Sequence, residues 1–236
     1  MTLRHNFSIY KGIKMKYFLD SAKIDEIKYA YENWGIDGVT TNPKHIKTSG
    51  KPFYSVIREI GEYFEGTEVP VSVEINPTLT EKKDMIEMAK KLAALSPNFA
   101  IKIPCTEQGL SAAKALNDDG IKTNVTLVFT ASQAIQVARI GSKFCSPFIG
   151  WGETNGEFTL DTIGRIMEIY KNYQYKTEVI TAAVRNGKQL AEAALYGSDI
   201  ATAGFDVFKD SFFSPYTGFG NDIFINAWKE TDTSET

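Results

Sequence analysis

The sequence predicts a (β/α)8 barrel followed by one additional C-terminal helix. Eight short apolar segments alternate with segments of helical periodicity, and no linker or composition shift interrupts them. A length of 236 residues with 43% hydrophobic and 23% charged residues suits one such globular domain. We therefore expect a single barrel domain over residues 16–236, preceded by an N-terminal extension over residues 1–15.

Each predicted strand is a short run of apolar and β-branched residues. In chain order the strands read KYFLD (16–20), GVTT (38–41), VPVSVEI (69–75), AIKIP (100–104), NVTLVF (124–129), CSPFI (145–149), VITAAV (179–184) and IATAGF (200–205). The segment TEKKDMIEMAKKLAAL (80–95) is typical of the helices between them, and DVFKDSFF (206–213) predicts the helix after the eighth strand. A final amphipathic segment, NDIFINAWKE (221–230), lies beyond the barrel.

Charge and cysteine content exclude several classes of partner and site. A net charge of -3 and a pI near 5.6 give no electrostatic surface for nucleic acid or an anionic membrane. Cys105 and Cys145 lie in separate apolar segments without metal-ligand spacing, which argues against a disulfide framework and against a zinc site. No segment has the pattern of a signal peptide or a membrane span. We expect a soluble cytoplasmic protein that uses neither a metal nor a cofactor.

Side-chain alternation along the strands places polar residues inside the predicted barrel. Lys102 shares its face with Ala100 and Pro104, while Ile101 and Ile103 face the helices. The same parity directs further polar residues inward: Asp20, Glu74, Asn124, Thr126 and Ser146. Their neighbours are expected to face outward: Leu19, Val73, Ile75, Val125, Leu127 and Cys145. Barrel interiors are normally filled by Val, Ile and Leu, so this many polar groups would be unfavourable unless they pair or serve a ligand. A buried ion-pair network would explain one or two of them, but a ligand site explains the whole set.

The lysine inside the barrel indicates Schiff-base chemistry. Burial disfavours an ammonium group, and a free amine attacks a ketone to form an imine that accepts electrons when the neighbouring carbon–carbon bond breaks. The reaction also needs a base for the hydroxyl proton and a group that shuttles protons during dehydration. Asp20 and Glu74 have suitable side chains for these two roles.

Seven motifs in order resemble the small-subunit transaldolase and fructose-6-phosphate aldolase family. They are FLDSA (18–22), GVTTNP (38–43), VSVEI (71–75), IKIPCTEQGL (101–110), TNVTLVF (123–129), SPFIG (146–150) and AAVRN (182–186). The resemblance covers nearly the whole chain from Lys16 onward. It implies a cofactor-free class I enzyme that acts on small sugar phosphates or sulfosugars. It also implies a ring-like homo-oligomer, a pentamer or decamer, in which the C-terminal helix crosses to a neighbour.

The resemblance implies a role for each matched position. Lys102 forms the Schiff base, and Asp20 acts as general base on the donor hydroxyl. Glu74 and Thr126 hold the water that shuttles protons. The positions that contact the bound dihydroxyacetone unit fall on Asn42, Asn124 and Ser146, with Thr40 close by.

Phe148 favours group transfer over simple cleavage. The aldolase branch of the family carries tyrosine at this position and glutamine in place of Glu74. A phenyl ring cannot donate a proton to the enamine, so the three-carbon unit waits for an acceptor aldehyde. The alternative activity is a fructose-6-phosphate aldolase, and the alternative of another class is a non-catalytic barrel that binds sugar acids.

The sequence departs from its family where the substrate anion is expected. Similar transaldolases usually read SPFVGR after the sixth strand and ASFR or ASIR at the seventh. Here Trp151 replaces the first arginine, Ala183 replaces the serine, and only Arg185 remains.

A phosphate monoester carries about -1.5 to -2 charges near neutral pH, so the loss of an arginine weakens its binding more than that of a singly charged sulfonate. We therefore expect 6-deoxy-6-sulfofructose as donor, sulfolactaldehyde as product, and glyceraldehyde 3-phosphate or erythrose 4-phosphate as acceptor. The alternative is an ordinary phosphate-specific transaldolase in which WGETNG (151–156) is a re-routed loop. His45, just after the second strand, is expected to face solvent from a loop.

Overall fold

Eight parallel strands close into a barrel in chain order in the computed structural model, which describes residues 15–154 and 160–234. The strands are β1 (Lys16–Asp20), β2 (Gly38–Thr40), β3 (Val71–Glu74), β4 (Phe99–Pro104), β5 (Thr123–Val128), β6 (Phe144–Pro147), β7 (Glu178–Val184) and β8 (Ile200–Ala203). The predicted (β/α)8 barrel is confirmed, and each strand lies close to its predicted position. Residues 1–14 of the predicted N-terminal extension lie outside the described residues.

Helices connect the strands and cover the outside of the barrel. Those in the described ranges are α1 (Ile24–Trp34), α2 (Pro43–Ser49), α3 (Phe53–Tyr63), α4 (Lys82–Ala93), α5 (Glu107–Asp118), α6 (Ala131–Arg139), α7 (Gly150–Thr154), α8 (Leu160–Tyr173), α9 (Gly187–Leu195), α10 (Phe205–Ser211) and α11 (Pro215–Glu230). The segment 151–156, a re-routed loop in the alternative interpretation of the sequence, lies in α7 as far as Thr154, and its last two residues, 155 and 156, lie outside the described ranges. Within those ranges, no helix combines the length and apolar character needed to cross a bilayer.

The main core lies between the strands and the helices. It contains the outward-facing residues of the strands, among them Leu19, Val73, Ile101, Val125 and Cys145, each with no exposed surface. The parity prediction is confirmed at these positions. Burial of these side chains between sheet and helices fixes which strand face turns inward, because a register slip of one residue would exchange the two faces.

The floor of the barrel interior is apolar. A separate buried cluster consists of Phe18, Ala100, Phe144, Ile180 and Ile200. The rings of Phe18 and Phe144 meet edge to face with centroids 5.8 Å apart. An apolar layer of packed side chains therefore lies beneath the polar groups at the carboxyl ends of the strands, as in other barrels of this type.

Two strands change register just before they end. The pairing of β5 with β6 shifts between Val125 and Val128, and the pairing of β7 with β8 shifts between Thr181 and Val184. Leu127 and Ala183 lie in these irregular segments with φ of 58° and 59°. A non-glycine residue in the left-handed region is strained and persists only where the surroundings enforce it. Leu127 consequently does not face the helices, as simple alternation predicted, but turns into the mouth of the barrel.

Candidate active site

A pocket of about 390 Å³ opens at the carboxyl ends of the strands. Its walls include every predicted site residue except Asn124: Asp20, Thr40, Asn42, Glu74, Lys102, Thr126, Ser146, Phe148, Trp151, Ala183 and Arg185. The pocket also contains residues that the sequence analysis did not predict as part of the site: Pro43, Lys44, His45, Leu127, Ala182, Val184 and Thr202. The carboxyl ends of the strands carry the active sites of essentially all enzymes with this fold.

Lys102 lies on the inner face of β4 and is only 5% exposed. Its Nζ lies 3.4 Å from Oε2 of Glu74 and donates a hydrogen bond to the backbone oxygen of Thr41 at 3.2 Å. The parallel pairing of β3 and β4 places Glu74 opposite Lys102 in the register. Burial raises the pKa of Glu74 above its ordinary value, although the Lys102 ammonium opposes this rise. Glu74 is thus a carboxyl group that holds a proton more readily than a solvent-exposed glutamate.

Asp20 ends β1 and has the opposite electrostatic environment. Burial acts to raise its pKa, but His45, Lys102 and Thr40 together outweigh burial, and the pKa lies below its ordinary value. Nε2 of His45 lies 3.1 Å from Oδ2 of Asp20, and Thr40 donates its hydroxyl hydrogen to Oδ1 at 2.9 Å. The pKa values of these two carboxyl groups in one pocket are therefore shifted in opposite directions. In enzymes, such a pair commonly consists of one acid and one base.

The Thr126 hydroxyl is buried beneath the pocket without a partner. Within the described ranges, Thr126 Oγ1 is the buried side-chain oxygen or nitrogen for which no hydrogen bond is found. An unsatisfied buried hydroxyl costs about 1–3 kcal/mol. Such a group is expected to serve a water molecule or a ligand that enters the pocket.

Asn124 lies one layer below the pocket and positions Ser146. Ser146 donates its hydroxyl hydrogen to Oδ1 of Asn124 at 2.7 Å, and Asn124 Nδ2 donates to Oγ of Ser72 at 2.9 Å. All three side chains are buried. The predicted substrate-contacting position at Asn124 is consequently a support for Ser146 in this structure, and only the latter residue lines the pocket.

Phe148 and Trp151 line one side of the pocket, and Phe129 packs against both of them. The Phe148 and Trp151 rings meet edge to face at 5.4 Å between centroids, and Phe129 lies 5.9 Å from each of them. Trp151 and Phe129 are 50% and 43% exposed. A large apolar surface thus occupies the place where the family pattern supplies an arginine.

Arg185 follows β7 and lies beside α7, the helix that carries Trp151. Its guanidinium Nη1 donates a short hydrogen bond to the hydroxyl of Thr154 at the end of α7. Gly150 allows the start of α7 to lie close to Ala183 and Arg185. A Cβ at this position would collide with the backbone oxygen of Ala183 and lie 2.9 Å from Nε of Arg185. The start of α7, the strained Ala183 and Arg185 therefore form one packed unit.

His45 is the site residue that the sequence analysis placed wrongly. It lies in the first turn of α2 rather than on a loop, and its side chain is 28% exposed and turned towards Asp20. Asn42 caps this helix, and its side chain accepts a hydrogen bond from the His45 backbone N–H at 3.0 Å. The sequence signal was the run Asn42-Pro43, since asparagine at the N-cap and proline at the first helical position are a strong helix start.

The described residues contain no group of three or more His, Cys, Asp or Glu side chains placed to hold a metal ion. Of the ionisable side chains that line the pocket, four lie in direct contact with one another. They form two neighbouring pairs, Lys102 with Glu74 and Asp20 with His45. This arrangement suits proton transfer around a nucleophilic amine.

Comparison with known proteins identifies the family of the chain. The profile of the Transaldolase/Fructose-6-phosphate aldolase family matches residues 17–232. The chain is 60% identical to the 6-deoxy-6-sulfo-D-fructose transaldolases of Priestia aryabhattai and Priestia megaterium, over 93% of this chain and 97% of each relative. It is 41% identical to a probable transaldolase of Dictyoglomus turgidum, over 92% of this chain and 99% of that protein.

A solved structure shows the fold alone. Thiamine phosphate pyrophosphorylase from Pyrococcus furiosus superposes with a TM-score of 0.59 at 12% identity, covering 81% of this chain and 86% of that one. The family profile spans the pairs of Lys102 with Glu74 and of Asp20 with His45, and all eight strands except Lys16, the first residue of β1. Together with the close relatives, it shows that the chain belongs to the transaldolase/fructose-6-phosphate aldolase family.

Proposed function

We propose that the protein is a transaldolase that transfers a dihydroxyacetone unit through a Schiff base on Lys102. The observation that carries the proposal is a buried lysine amine in one pocket with two carboxylates whose pKa values are shifted in opposite directions. A structural ion pair would need only one of these carboxylates. The second carboxylate, with its own hydrogen-bond donors, supports a reaction that needs an acid and a base at the same site.

Imine formation uses Lys102, Glu74 and Thr126. Nζ of Lys102 attacks the C2 carbonyl of the ketose, and the carbinolamine then loses its hydroxyl group as water. Glu74, with its raised pKa, supplies a proton to this leaving group, directly or through a water molecule. The unpartnered hydroxyl of Thr126 can hold that water. Both groups lie in the same pocket as the amine.

Carbon–carbon cleavage and transfer use Asp20. The Asp20 carboxylate removes the proton from the C4 hydroxyl as the C3–C4 bond breaks, and the bonding electrons move to the iminium to give an enamine on Lys102. The first aldehyde leaves, and the enamine adds to an acceptor such as glyceraldehyde 3-phosphate or erythrose 4-phosphate, whose new hydroxyl takes the proton back from Asp20. Phe148 has no proton to give the enamine, which favours transfer over release of free dihydroxyacetone.

We further propose that the donor is 6-deoxy-6-sulfofructose and that the first product is sulfolactaldehyde. Arg185 is the guanidinium that lines the pocket, and the surface beside it is formed by Trp151, Ala183 and Val184. A sulfonate with one negative charge needs less cationic compensation than a phosphate with nearly two. The names of the two Priestia relatives support the same donor for this chain.

The decisive experiment measures the intact mass of the protein after borohydride reduction with either 6-deoxy-6-sulfofructose or fructose 6-phosphate, in the absence of acceptor. A dihydroxyacetone-sized adduct on Lys102, formed faster from the sulfonated donor, is the expected result. Equal or faster labelling from fructose 6-phosphate would overturn the donor assignment. The absence of any adduct would overturn the Schiff-base mechanism and favour a non-catalytic binding protein.

A matched variant tests which residues cause the proposed preference for the sulfonated donor. In the double variant Trp151→Arg, Ala183→Ser, the second guanidinium and the hydroxyl of the family pattern return. We expect the ratio of kcat/KM for fructose 6-phosphate to kcat/KM for the sulfonated donor to rise on the order of tenfold. An added charge-assisted contact stabilises the more highly charged anion by roughly 1.5–3 kcal/mol, and the disturbed aromatic cluster offsets part of this gain.

We also propose that the protein assembles with copies of itself. No residue of α11 is buried, and its apolar side chains are far more exposed than is usual: Tyr216 83%, Phe219 66%, Phe224 73% and Trp228 68%. An apolar surface of this kind marks an interaction site. The family resemblance supports a pentamer or decamer. The mass in solution, measured by sedimentation equilibrium, tests the assembly.

A cytoplasmic location is proposed on a separate ground. Cys105 and Cys145 are free thiols in the structure, and burial raises their pKa values to about 11 and about 12. Free buried thiols are typical of proteins from a reducing compartment. Fractionation of cells that express the protein would test this location.

A further inference from the structure

His45 contacts Asp20 in a way that the proposed mechanism leaves unused. The imidazole Nε2 lies 3.1 Å from Oδ2 of Asp20. Because an ionised carboxylate only accepts hydrogen bonds, Nε2 carries the hydrogen in this contact. The imidazole is 28% exposed, so it lies between the carboxylate and the solvent at the pocket mouth. His45 is thus the outer partner of the predicted base.

The second oxygen of Asp20 is held from the barrel interior. Thr40 donates to Oδ1 at 2.9 Å, and the hydroxyl of Thr202 lies 2.6 Å from that of Thr40. Since the hydrogen of Thr40 points at Asp20, Thr202 is the donor in the contact between the two threonines. Asp20 therefore receives one donor from inside the barrel and one from α2, and its plane is fixed between them.

The helix start fixes the position of His45. The Asn42 side chain caps α2 through the His45 backbone N–H, and Pro43 occupies the first helical position. Side chains of a helix lean towards its N-terminus, which directs the imidazole of His45 back to the barrel mouth. The side chain of Ile46, the next residue, is buried in the core and holds this turn against the barrel.

We propose that His45 is a positioning residue for Asp20 in the carbon–carbon bond-breaking step. It holds Oδ2 so that the carboxylate keeps one orientation towards the C4 hydroxyl of the donor. The inference rests on the proposed function, because it assumes that Asp20 is the base. It assigns no role to His45 in imine formation, since the imidazole contacts Asp20 rather than Lys102 or Glu74.

The charged groups around Asp20 give the proposal a pH signature. Asp20 faces His45 from α2 and Lys102 from β4, with Glu74 of β3 as a further neighbour. The bond from His45 acts to lower the pKa of Asp20, and its loss moves this pKa upward. Since the base must be ionised to act, the acid limb of the profile of kcat/KM against pH moves to higher pH without His45.

The test compares His45→Leu, His45→Gln and the control Lys47→Leu, an exposed position on the same helix. Each variant is assayed for transfer over pH 4–9, and its Lys102 imine is trapped with dihydroxyacetone and borohydride, a reaction that breaks no carbon–carbon bond. We expect His45→Leu to lower kcat for transfer on the order of 10- to 100-fold, with unchanged imine trapping and an acid limb at higher pH. His45→Gln keeps an N–H donor and should recover part of kcat, and Lys47→Leu should match the wild type.

The other possible results each decide against the inference, and one of them also decides against the proposed function. Wild-type transfer and an unshifted pH profile in His45→Leu would overturn the inference and leave the proposed function intact. Equal loss of transfer and of imine trapping in this variant would also overturn it, because His45 would then act on the whole site. Failure of the wild-type protein itself to form the imine would overturn the proposed function and the inference together.

Discussion

At the residue scale, the neighbours of each carboxyl group in the pocket determine the direction in which its pKa is shifted. Asp20 and Glu74 have similar side chains, but Asp20 is surrounded by the donors Thr40 and His45, whereas Glu74 is buried beside the single ammonium of Lys102. The pKa is consequently lowered at Asp20 and raised at Glu74. One carboxyl group with a lowered pKa and one with a raised pKa suit a reaction that needs both a base and an acid.

Lys102→Met should abolish transfer and leave the fold intact. Methionine has a similar volume and is apolar, so it fits the buried position, but it cannot form an imine. Circular dichroism and a transfer assay check the two parts of this prediction. Lys102→Arg is the matched control for charge, because it keeps a cation beside Glu74 and also lacks a nucleophilic amine. Transfer by either variant within tenfold of the wild-type rate would remove Lys102 from the mechanism.

Thr126→Val should slow imine formation while stabilising the protein. Valine replaces the buried hydroxyl by a methyl group of similar size, which removes the roughly 1 kcal/mol or more that an unsatisfied polar atom costs. The loss of a water ligand should lower the rate of imine formation with dihydroxyacetone by on the order of tenfold or more. Stopped-flow kinetics and urea unfolding measure the two effects. A clear loss of stability would show that the hydroxyl is bonded within the folded protein.

The stability contribution of Asp20 should disappear in acid. Its pKa is lower in the folded than in the unfolded state, so the folded state binds its proton more weakly and the contribution is fully present above the unfolded value of about 3.9. As the pH falls through the folded value, the contribution is lost. The difference in unfolding free energy between wild type and Asp20→Asn, measured in urea, should be constant above about pH 5 and shrink below about pH 4. A difference that grows in acid would contradict the lowered pKa.

At the scale of the element, the site depends on irregular strand ends. The register shifts in β5 and β7 turn Leu127 and Ala183 into the pocket with positive φ. Bulges near active sites commonly redirect a side chain in this way. At the end of β7 the bulge meets the start of α7, where Gly150 allows close contact between the two segments. The end of the pocket around Arg185, where we propose that the anion binds, is therefore shaped by the backbone as much as by side-chain type.

Gly150→Ala should damage the anion end of the pocket. The added methyl group would collide with the Ala183 backbone oxygen and crowd Nε of Arg185. We expect a loss of stability of roughly 1–3 kcal/mol and a rise in KM for the donor, with imine formation from dihydroxyacetone unchanged. Gly187→Ala is the control, because its methyl group would have no neighbour closer than 3.8 Å. Wild-type stability and KM in Gly150→Ala would show that α7 can move away without consequence.

At the scale of the whole molecule, the strands form a closed barrel, whereas α11 buries none of its residues. The eight strands close without an edge, and the pocket lies within one chain. Helix α11 buries none of its residues, so its apolar side chains contribute little to the stability of the single chain. Helix α11 is therefore the surface through which we propose that copies of the protein assemble.

Phe224→Asp combined with Trp228→Asp should yield smaller assemblies of folded protein. Charge on this face opposes contact with a neighbouring chain, while the barrel loses no buried contact. Sedimentation equilibrium measures the mass, and circular dichroism reports the fold. Lys229→Glu on the same helix is the control for added negative charge. An unchanged mass for the double variant would assign the assembly surface to another part of the molecule.

The sequence by itself determined the eight strands, the inward face of the five strands that carry polar interior residues, and the identity of Lys102, Glu74 and Asp20 as polar groups of the interior. These features follow from local alternation, since successive side chains of a strand point to opposite faces whatever the rest of the chain does. The family motifs extended this reasoning to the residues around the mouth, because their order along the chain is itself specific.

Only the tertiary structure decided which groups meet. It placed Asn124 below the pocket, turned Leu127 into it, left Thr126 without a partner and brought His45 to Asp20. Alternation gives the direction of a side chain but not its height in the barrel, which depends on the stagger between strands. The contact of His45 depends in addition on how a capped helix sits over the barrel mouth. Contacts between distant segments are set by packing of the whole barrel, and no local pattern encodes them.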